Sequence, residues 1–288
     1  MDGTTAASLT RTDQAPASAV QQFDGLLRVR FERREGATVL ADLHQKPPLR
    51  MLFPRVDDPI PLAVCVNTSG GLVGGDRASV EVTAASGTAV TVTAQAAEKV
   101  YRSKALDTVI ANRLAAQDGA WLEWLPQETI VFDRARLRRA MHIDVEGNAR
   151  VLAGEILVFG RIARGERVTT GLVRDAWEVR RDGRLIWADA LHLDNDIAAV
   201  LANAACFGDA RAYATMLYAG PDSATLLEAL REHGLESGGA ATCIGGMLIA
   251  RWLSPDPAAV RRGFGKAWCY LRQQARGLPA SLPRIWHI

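Results

Sequence analysis

The sequence predicts a mainly β protein with a few helices, most of them in the carboxyl-terminal part. Before about residue 194, apolar residues alternate with polar ones in short segments separated by glycine-containing turns, which is the pattern of β-strands. Beyond that point apolar residues recur at helical spacing, most clearly from Val260 to Ala275. Many short strands followed by a few helices therefore define the predicted fold class.

The first half of the chain is predicted to consist of strands joined by tight turns. Residues 25–40 alternate and are interrupted at Gly36, which indicates a strand, a turn and a second strand. Leu62–Val66 is an apolar strand that leads into a glycine-rich turn. Val80–Val92 alternates on both sides of Ser86-Gly87, and this pattern predicts a β-hairpin.

The second half begins with further strands. Leu137–Val145 alternates and ends at Glu146-Gly147-Asn148. Val151–Phe159 is almost continuously apolar, which predicts a strand that is covered on both faces. Trp177–Leu193 contains Asp182-Gly183, a turn pair that predicts a second hairpin.

Helices are predicted only after these strands. Ile197–Phe207 has a helical pattern, and Asp222–His233 begins at a capping residue and ends before a glycine. The longest helix is predicted to begin at a Ser254 cap and to end at Gly277.

Composition and charge restrict the class of protein. Hydrophobic residues make up 48% of the chain, enough for a sizeable core, and the formal net charge is only +2. Neither nucleic acid nor a membrane is therefore expected as a partner. The four cysteines are widely separated and form no Cys-x-x-Cys pair, so neither a zinc site nor a disulfide framework is expected.

The amino-terminal segment is predicted to be a disordered tail. Residues 1–22 are polar, with no basic region followed by an apolar one, so they do not form a secretion signal. No apolar run reaches the roughly 20 residues that cross a bilayer. We therefore expect a cytoplasmic protein in which residues 23–288 form a single β-rich domain.

No catalytic or nucleotide-binding motif is visible. The turn Asn67–Asp76 contains two Gly-Gly pairs, but Asp76 and Arg77 stand where a phosphate-binding loop needs lysine and serine or threonine. The five histidines form no His-x-x-x-His pair, and no Gly-x-Ser-x-Gly sequence occurs. The sequence therefore predicts a protein that is not an enzyme and binds no nucleotide.

Carboxylates on apolar strand faces are the unusual feature of the sequence. Glu155 alternates with apolar residues along Val151–Phe159, and Asp189 alternates with Leu185, Trp187, Leu191 and Leu193. Glu123 is a third and weaker case. A buried carboxylate must find an arginine, hydrogen-bond donors, water or a metal ion, and pairing with one of the many arginines is an open alternative.

Five segments, taken in order, resemble one known family. They are Asn67–Asp76, Ala96–Ser103, Leu122–Asp133, Phe159–Arg161 and Leu282–Trp286. In that order they resemble the UreD family of urease accessory proteins, called UreH in some systems, and the resemblance extends from about Gly25 to the last residues.

The resemblance implies a fold and a function. It implies a β-helical core and a non-enzymatic maturation chaperone that joins a UreF-type accessory protein and a UreG-type GTPase on apo-urease. The assembly would deliver nickel, held transiently, to the urease active site, and the nucleotide chemistry would belong to the GTPase.

The resemblance also implies that Asp76, Glu155 and Asp189 contact nickel beside an internal, water-accessible passage. Water would keep these carboxylates ionised without a dedicated arginine, and oxygen ligands would hold nickel weakly. For protein partners, the candidate surfaces are Arg284-Ile285-Trp286 and the helix that contains Trp268, because interfaces are rich in aromatic residues and arginine.

Two other functions remain open. One is a structural scaffold without a metal path, in which the carboxylates are only salt-bridged. The other is a glycan-cleaving enzyme that uses Glu155 and Asp189 as acid and base. The lack of a secretion signal and the apolar faces that carry both residues disfavour the enzyme.

Overall fold

A computed structural model describes residues 22–236 and 238–287 of the chain. In chain order the strands are β1 (Asp24–Arg34), β2 (Ala37–Lys46), β3 (Leu49–Leu52), β4 (Leu62–Asn67), β5 (Arg77–Ala84), β6 (Ala89–Ala94), β7 (Glu98–Val100), β8 (Thr108–Ala116), β9 (Trp121–Leu125), β10 (Thr129–Val131), β11 (Arg136–Val145), β12 (Arg150–Phe159), β13 (Thr170–Arg181), β14 (Arg184–Asp196), β15 (Ala212–Ala219), β16 (Ala240–Ile244) and β17 (Met247–Ser254). The α-helices are α1 (Ile197–Ala202), α2 (Ser223–Ala229) and α3 (Pro257–Arg276). The predicted disordered tail lies outside the described residues, except for Gln22.

The strands form two sheets with the main hydrophobic core between them. Within the described residues, the first sheet has seven strands in the order β14-β13-β11-β8-β5-β1-β2. The second has ten, of which eight follow the order β16-β17-β15-β12-β9-β6-β4-β3, while β7 and β10 pair beside β12. Large apolar side chains of both sheets, such as Leu27, Val92 and Leu122, are fully buried in one cluster.

The chain winds between the two sheets as a solenoid. In the first sheet β1, β5, β8, β11 and β13 run parallel, and in the second β4, β6, β9 and β12 do so. Because neighbours in one sheet are separated in sequence by a strand of the other, each coil of chain stacks on the coil before it. This arrangement confirms the β-helical core with few helices.

The hairpin predicted at Ser86-Gly87 is wrong. β5 and β6 flank this turn but belong to different sheets, where β5 pairs with β1 and β8, and β6 with β4 and β9. The turn is a solenoid corner, and the Gly87 N–H donates to the Asp118 carbonyl of the next corner at 3.0 Å. Alternating strands around a Ser-Gly turn look the same in sequence whether they pair with each other or with other coils.

β12 is buried on both faces, as its apolar sequence predicted. One face lies in the core between the sheets, and the other packs against α3. A Cβ at Gly154 would lie 2.4 Å from the Phe264 ring of that helix, so only glycine permits this close approach.

The last helix has the predicted buried face but a different start. Val260, Phe264, Trp268 and Leu271 are all buried. The cap is Asp256, whose side chain accepts from the Ala258 N–H at 2.9 Å, followed by proline at the first helical position. The predicted Ser254 cap is wrong because β17 extends through that residue.

The carboxyl-terminal segment packs as part of the core. A short 3-10 helix at Arg284–His287 places the Trp286 ring parallel to Phe264 at 6.0 Å, and Trp286 is only 3% exposed. Its Nε1 donates to Thr93 Oγ1 at 3.2 Å and to the Leu125 carbonyl at 3.3 Å. Trp268 is fully buried as well. The two tryptophan rings are therefore not on the surface, whereas partner contact by the exposed Arg284 or by the exposed positions of the Trp268 helix stays a prediction.

Of the other two helices, α1 is shorter than predicted and ends at Ala202 rather than Phe207. The helix predicted over Asp222–His233 is confirmed, since α2 begins after Asp222 and continues into a π-helical turn over Leu230–Gly234. Nowhere in residues 22–236 or 238–287 is there a helix both long and apolar enough to cross a membrane.

Candidate functional site

A cavity of ≈ 180 Å³ with apolar walls and several polar side chains lies between the two sheets, beside the glycine-rich turn. Its rim includes the exposed residues Gln95, Ala96 and Lys99, so it is reached from the surface. The polar side chains that line it are Asn67, Thr93, Gln95, Glu98, Lys99, Asn112, Gln127, Thr129, Arg139 and Glu155. This volume has room for several waters, since one water needs roughly 10–15 Å³ of such space.

Glu155 lies at the inner end of the cavity and is paired with Arg139. The Arg139 Nη1 donates to Glu155 Oε2 at 2.5 Å, and the Trp124 indole donates to Glu155 Oε1 at 3.0 Å. The same guanidinium binds Asp175 with two hydrogen bonds, Nε to Oδ1 at 2.8 Å and Nη2 to Oδ2 at 2.9 Å. Two buried carboxylates therefore share one arginine.

Burial and the neighbouring charges act in opposite directions on the groups of this cluster. Burial raises the pKa of Glu155; Arg139 opposes that change, and the neighbouring Asp175 adds to it. Although burial lowers the pKa of Arg139, Asp175 and Glu155 raise it to a net value above normal, so the guanidinium stays charged. The expectation that Glu155 would need no dedicated arginine is wrong.

Glu98 lies near the mouth of the same cavity. It is the first residue of β7, and its Oε2 accepts from the Asn67 Nδ2 at 3.0 Å. Burial raises the pKa of Glu98, while the hydrogen bond from Asn67 opposes that rise. The sequence did not predict Glu98 as a site residue, because a strand of three residues is too short to show alternation.

Asn112 is a second cavity residue that was not predicted from the sequence. It lies on the buried face of β8 between Ile110 and Leu114, is 3% exposed and lines the cavity. The alternation rule that identified Glu155 would have found it.

Asp76 is buried outside the cavity wall and holds the glycine-rich turn. Its Oδ1 accepts from the Phe23 N–H at 3.0 Å, and its Oδ2 accepts from the Val73 N–H at 2.8 Å. The turn itself packs tightly, since a Cβ at Gly71 would lie 2.5 Å from the Tyr101 ring. Both carboxylate oxygens of Asp76 thus have backbone partners.

Asp189 lies away from the cavity and has its own arginine. Its side chain is 35% exposed and forms an ion pair with Arg251 of β17. A bulge between Val179 and Arg180 of β13 shifts the pairing of the hairpin, so Leu185 is exposed rather than on the face of Asp189. The expectation of a carboxylate without a dedicated arginine is wrong here too.

A line of polar groups connects the Glu155 cluster with the Asp189 pair. Tyr213 of β15 accepts a hydrogen bond from Thr215 at 2.8 Å. Burial raises the pKa of Tyr213, and its hydroxyl also interacts electrostatically with Arg251, Asp189 and Asp175. The polar interior therefore extends beyond the cavity toward β14.

Glu123 belongs to a separate buried cluster under α3. Its Oε1 accepts from Arg272 Nε and from the Trp121 indole, both at 2.9 Å, and its Oε2 accepts from Thr91 at 2.5 Å. Arg272 Nη2 also reaches both oxygens of Asp58, at 2.8 and 2.7 Å. This cluster fastens the last helix to the second sheet.

Within the described residues, the acidic side chains of the cavity and the predicted metal contacts do not come together as one cluster of metal ligands. In the described part of the chain no three histidine, cysteine, aspartate or glutamate side chains come together as a metal site. The three residues predicted as metal contacts are likewise spread over separate places. Carboxylate and amide oxygens around the cavity can hold a hydrated cation loosely.

Comparison with known proteins assigns a family. Residues 24–287 match the family model described as UreD urease accessory protein. The chain is 44% identical to the urease accessory protein UreD of Magnetococcus marinus over 281 residues, covering 95% of this chain and 96% of that protein. It is 42% identical to the UreD of Xanthobacter autotrophicus, covering 98% and 99% of the two chains, and 38% identical to that of Rhizobium etli, covering 95% and 98%.

Proposed function

Because the chain belongs to the UreD family of urease accessory proteins and has a role in urease maturation, we propose that it helps to deliver nickel to apo-urease as a non-enzymatic chaperone. It acts in the cytoplasm with a UreF-type accessory protein and, through that complex, with a UreG-type GTPase. Nickel is the cargo of this chain. Nucleotide hydrolysis belongs to the GTPase, since the glycine-rich turn carries Asp76 and Arg77 where phosphate-binding residues would be needed.

The cavity between the sheets is the observation that carries the proposal. Among its lining residues are the carboxyl groups of Glu98 and Glu155 and the amide of Asn112. Nickel's stable protein sites use imidazole and thiolate, whereas oxygen ligands bind it less firmly. Conduction requires sites that a cation can both occupy and leave, and these side chains provide them.

Arg139 controls how Glu155 can act in this passage. A cation can bind Glu155 only in its ionised form, in which two carboxylates lie beside the one guanidinium. When Glu155 turns toward the cation, Arg139 keeps its two hydrogen bonds to Asp175 and needs no new partner. Glu155 is therefore the central nickel contact of the proposal.

Asp189 and Asp76 have different positions in the proposal. Asp189 lies beyond Tyr213 and serves a later part of the route, where its pair with Arg251 must open. Nickel contact by Asp76 stays a prediction that the geometry does not favour, because both oxygens are bonded to backbone N–H groups.

The test measures the nickel content of urease matured at limiting nickel with wild-type or variant protein. Glu155→Gln and Glu98→Gln should each lower nickel incorporation while partner binding stays unchanged. Glu128→Gln is the control, since Glu128 lies outside this cavity and pairs with Arg261. Lower nickel incorporation with Asp189→Asn would show that the route extends beyond Tyr213.

A scaffold without a metal path predicts another outcome. Normal nickel incorporation with the combined Glu98→Gln and Glu155→Gln variant, at limiting nickel, would reject the passage and leave the scaffold role. Loss of partner binding in these variants would equally count against a nickel-specific function of the two residues.

A further inference from the structure

One face of the first sheet points away from the core. Along β5, β8 and β11, and along β13 from Val173 on, every second residue is buried between the sheets and the residues in between point outwards. α2 and α3 pack against strands of the second sheet. The outward residues of the first sheet are half-buried or exposed, so this outer face is available to another molecule.

Small residues form a row across the outer face. The registers of β5, β8, β11, β13 and β14 place one residue of each strand at the same level, and these residues are Ser79, Ala111, Ala140, Ala176 and Ala190. We call them the small-residue row. Their short side chains allow a second sheet to approach closely, but they do not specify which molecule binds.

Charged residues do specify it, because they lie on both sides of the row with opposite signs. Two positions before and two positions after the level of the row, three strands carry one acidic and one basic residue each. They are Asp24 and Arg28 on β1, Arg77 and Glu81 on β5, and Arg174 and Glu178 on β13. On β11 the same holds four positions away, since Arg136 and Asp144 flank Ala140.

A two-fold axis along the small-residue row brings these opposite charges together. Rotation by 180° about that axis sets each strand against the same strand of a second copy and exchanges the two sides of the row. Arg77 then faces Glu81 of the second copy, and Arg174 faces Glu178 of the second copy. Each contact occurs twice, which is the self-complementarity that a symmetric dimer requires.

Two of these arginines have no carboxylate partner in their own chain. Arg77 and Arg174 form no ion pair among residues 22–236 and 238–287, whereas Glu81 binds Arg28 of its own chain at 2.6 Å. Glu178 has only long contacts, at 3.6 Å, with a histidine and an arginine beside it. A second copy would therefore supply the two arginines with carboxylates that still have room for a partner.

Some charges of the face stay unmatched about this axis. Arg138 faces His142 of the second copy, although Asp107 of its own chain already binds this arginine. Arg113 faces Val109 of the second copy. These positions add no favourable pair, so we expect a reversible dimer rather than a permanent one.

The size of the contact is sufficient for a specific dimer. Six strands about 4.8 Å apart and five levels about 6.8 Å apart, from Arg136 to Asp144, outline roughly 650 Å² on each copy. The total of roughly 1,300 Å² lies at the lower end of the range for specific interfaces, about 1,200–2,000 Å².

We propose that two copies of this chain associate through the outer face of the first sheet, about a two-fold axis along the small-residue row. The inference is independent of the proposed function. The exposed rim residues Gln95, Ala96 and Lys99 lie on β7 and the loop before it, in the second sheet, so the contact leaves both cavities open.

Sedimentation velocity of the full-length chain alone tests the dimer. We expect the mass to rise from one chain toward two between about 1 µM and about 100 µM, since association follows mass action. The association should weaken between about 0.05 M and about 0.5 M salt because exposed charges are screened. A wild-type chain that stays monomeric up to about 100 µM at low salt would overturn the dimer.

A charge swap on β13 tests the axis. Arg174→Glu and Glu178→Arg each place like charges opposite one another, and each should raise the dissociation constant about tenfold or more. The combined variant Arg174→Glu/Glu178→Arg restores opposite charges across the axis and should return the dissociation constant to within about threefold of wild type. Single variants that associate like wild type, or a combined variant as weak as the singles, would overturn the proposed axis.

Two further variants complete the experiment. Ala140→Arg places a long charged side chain in the middle of the row and should abolish association, so a dimer that persists would overturn the proposed face. Arg262→Glu is the matched control, because it reverses an exposed charge on α3 and should leave association unchanged; a loss equal to that of Arg174→Glu would show a general charge effect and overturn the specific contact. No nickel or other protein is present, so this result is separate from the nickel test.

Discussion

Two buried clusters in this protein have the same composition but different surroundings. Each contains two carboxylates and one arginine: Glu155, Asp175 and Arg139 between the sheets, and Glu123, Asp58 and Arg272 under α3. Glu123 accepts three side-chain hydrogen bonds and lines only a small pocket of ≈ 30 Å³, whereas Glu155 lines the larger cavity of ≈ 180 Å³. A buried group of two carboxylates and one arginine therefore fastens a helix to a sheet in one place and lines a cavity in the other.

The largest effect is expected from Arg272→Met. The change removes the arginine that pairs with the buried Glu123, and breaking such a buried pair costs about 3–5 kcal/mol. Chemical denaturation should show this loss in the free energy of unfolding. A loss below about 1 kcal/mol would mean that the cluster under α3 does not fasten the helix.

A smaller effect is expected from the glutamine variants: Glu123→Gln should lower the free energy of unfolding more than Glu155→Gln does. At Glu123 the change weakens buried charge-assisted hydrogen bonds, which are each worth about 1.5–3 kcal/mol. At Glu155 the loss of unfolding free energy should be smaller, because Arg139 keeps Asp175 and Thr129, and the amide can be hydrated from the cavity. Equal losses in parallel denaturation curves would remove the distinction between the clusters.

The smallest effect concerns the pH dependence of stability. Burial raises the pKa of Glu155 above its ordinary value of 4.5. Its contribution to stability is therefore fully present below pH 4.5 and is lost as pH rises through the folded-state pKa. Glu155→Gln should flatten the decline of unfolding free energy above pH 4.5, as measured by denaturation at a series of pH values. An unchanged slope would contradict a raised pKa at Glu155.

Local features of the fold could be predicted from the sequence, but pairing between distant segments could not. The hairpin at Asp182-Gly183 and the buried face of α3 follow from short-range patterns, and both are confirmed. The partner of Glu155 is Arg139 on the opposite sheet, and nothing in the spacing of the two residues reveals which strands face each other. A single bulge in the β13–β14 hairpin was enough to move Leu185 to the other face.

The same limit applies to the candidate site. Alternation found Glu155 and would have found Asn112, because both lie on regular strands with apolar neighbours. It could not find Glu98, whose importance depends on β7 lying beside β10 in the three-dimensional fold. It also could not show that Asp76 binds backbone N–H groups, since these come from a turn and from the segment before β1.

The stacking of coils has a consequence for how the chain folds. Each central strand of the first sheet pairs with strands one coil earlier and one coil later, as Leu137 does with Thr108 and Val173. In such a one-dimensional array, order spreads from coil to neighbouring coil, and an incomplete array exposes the unpaired edge of its last strand. β2 and β14 pair antiparallel at the two ends and stop this growth. During synthesis the growing edge stays open until β14 has emerged, and this interval is when the chain is most exposed to aggregation.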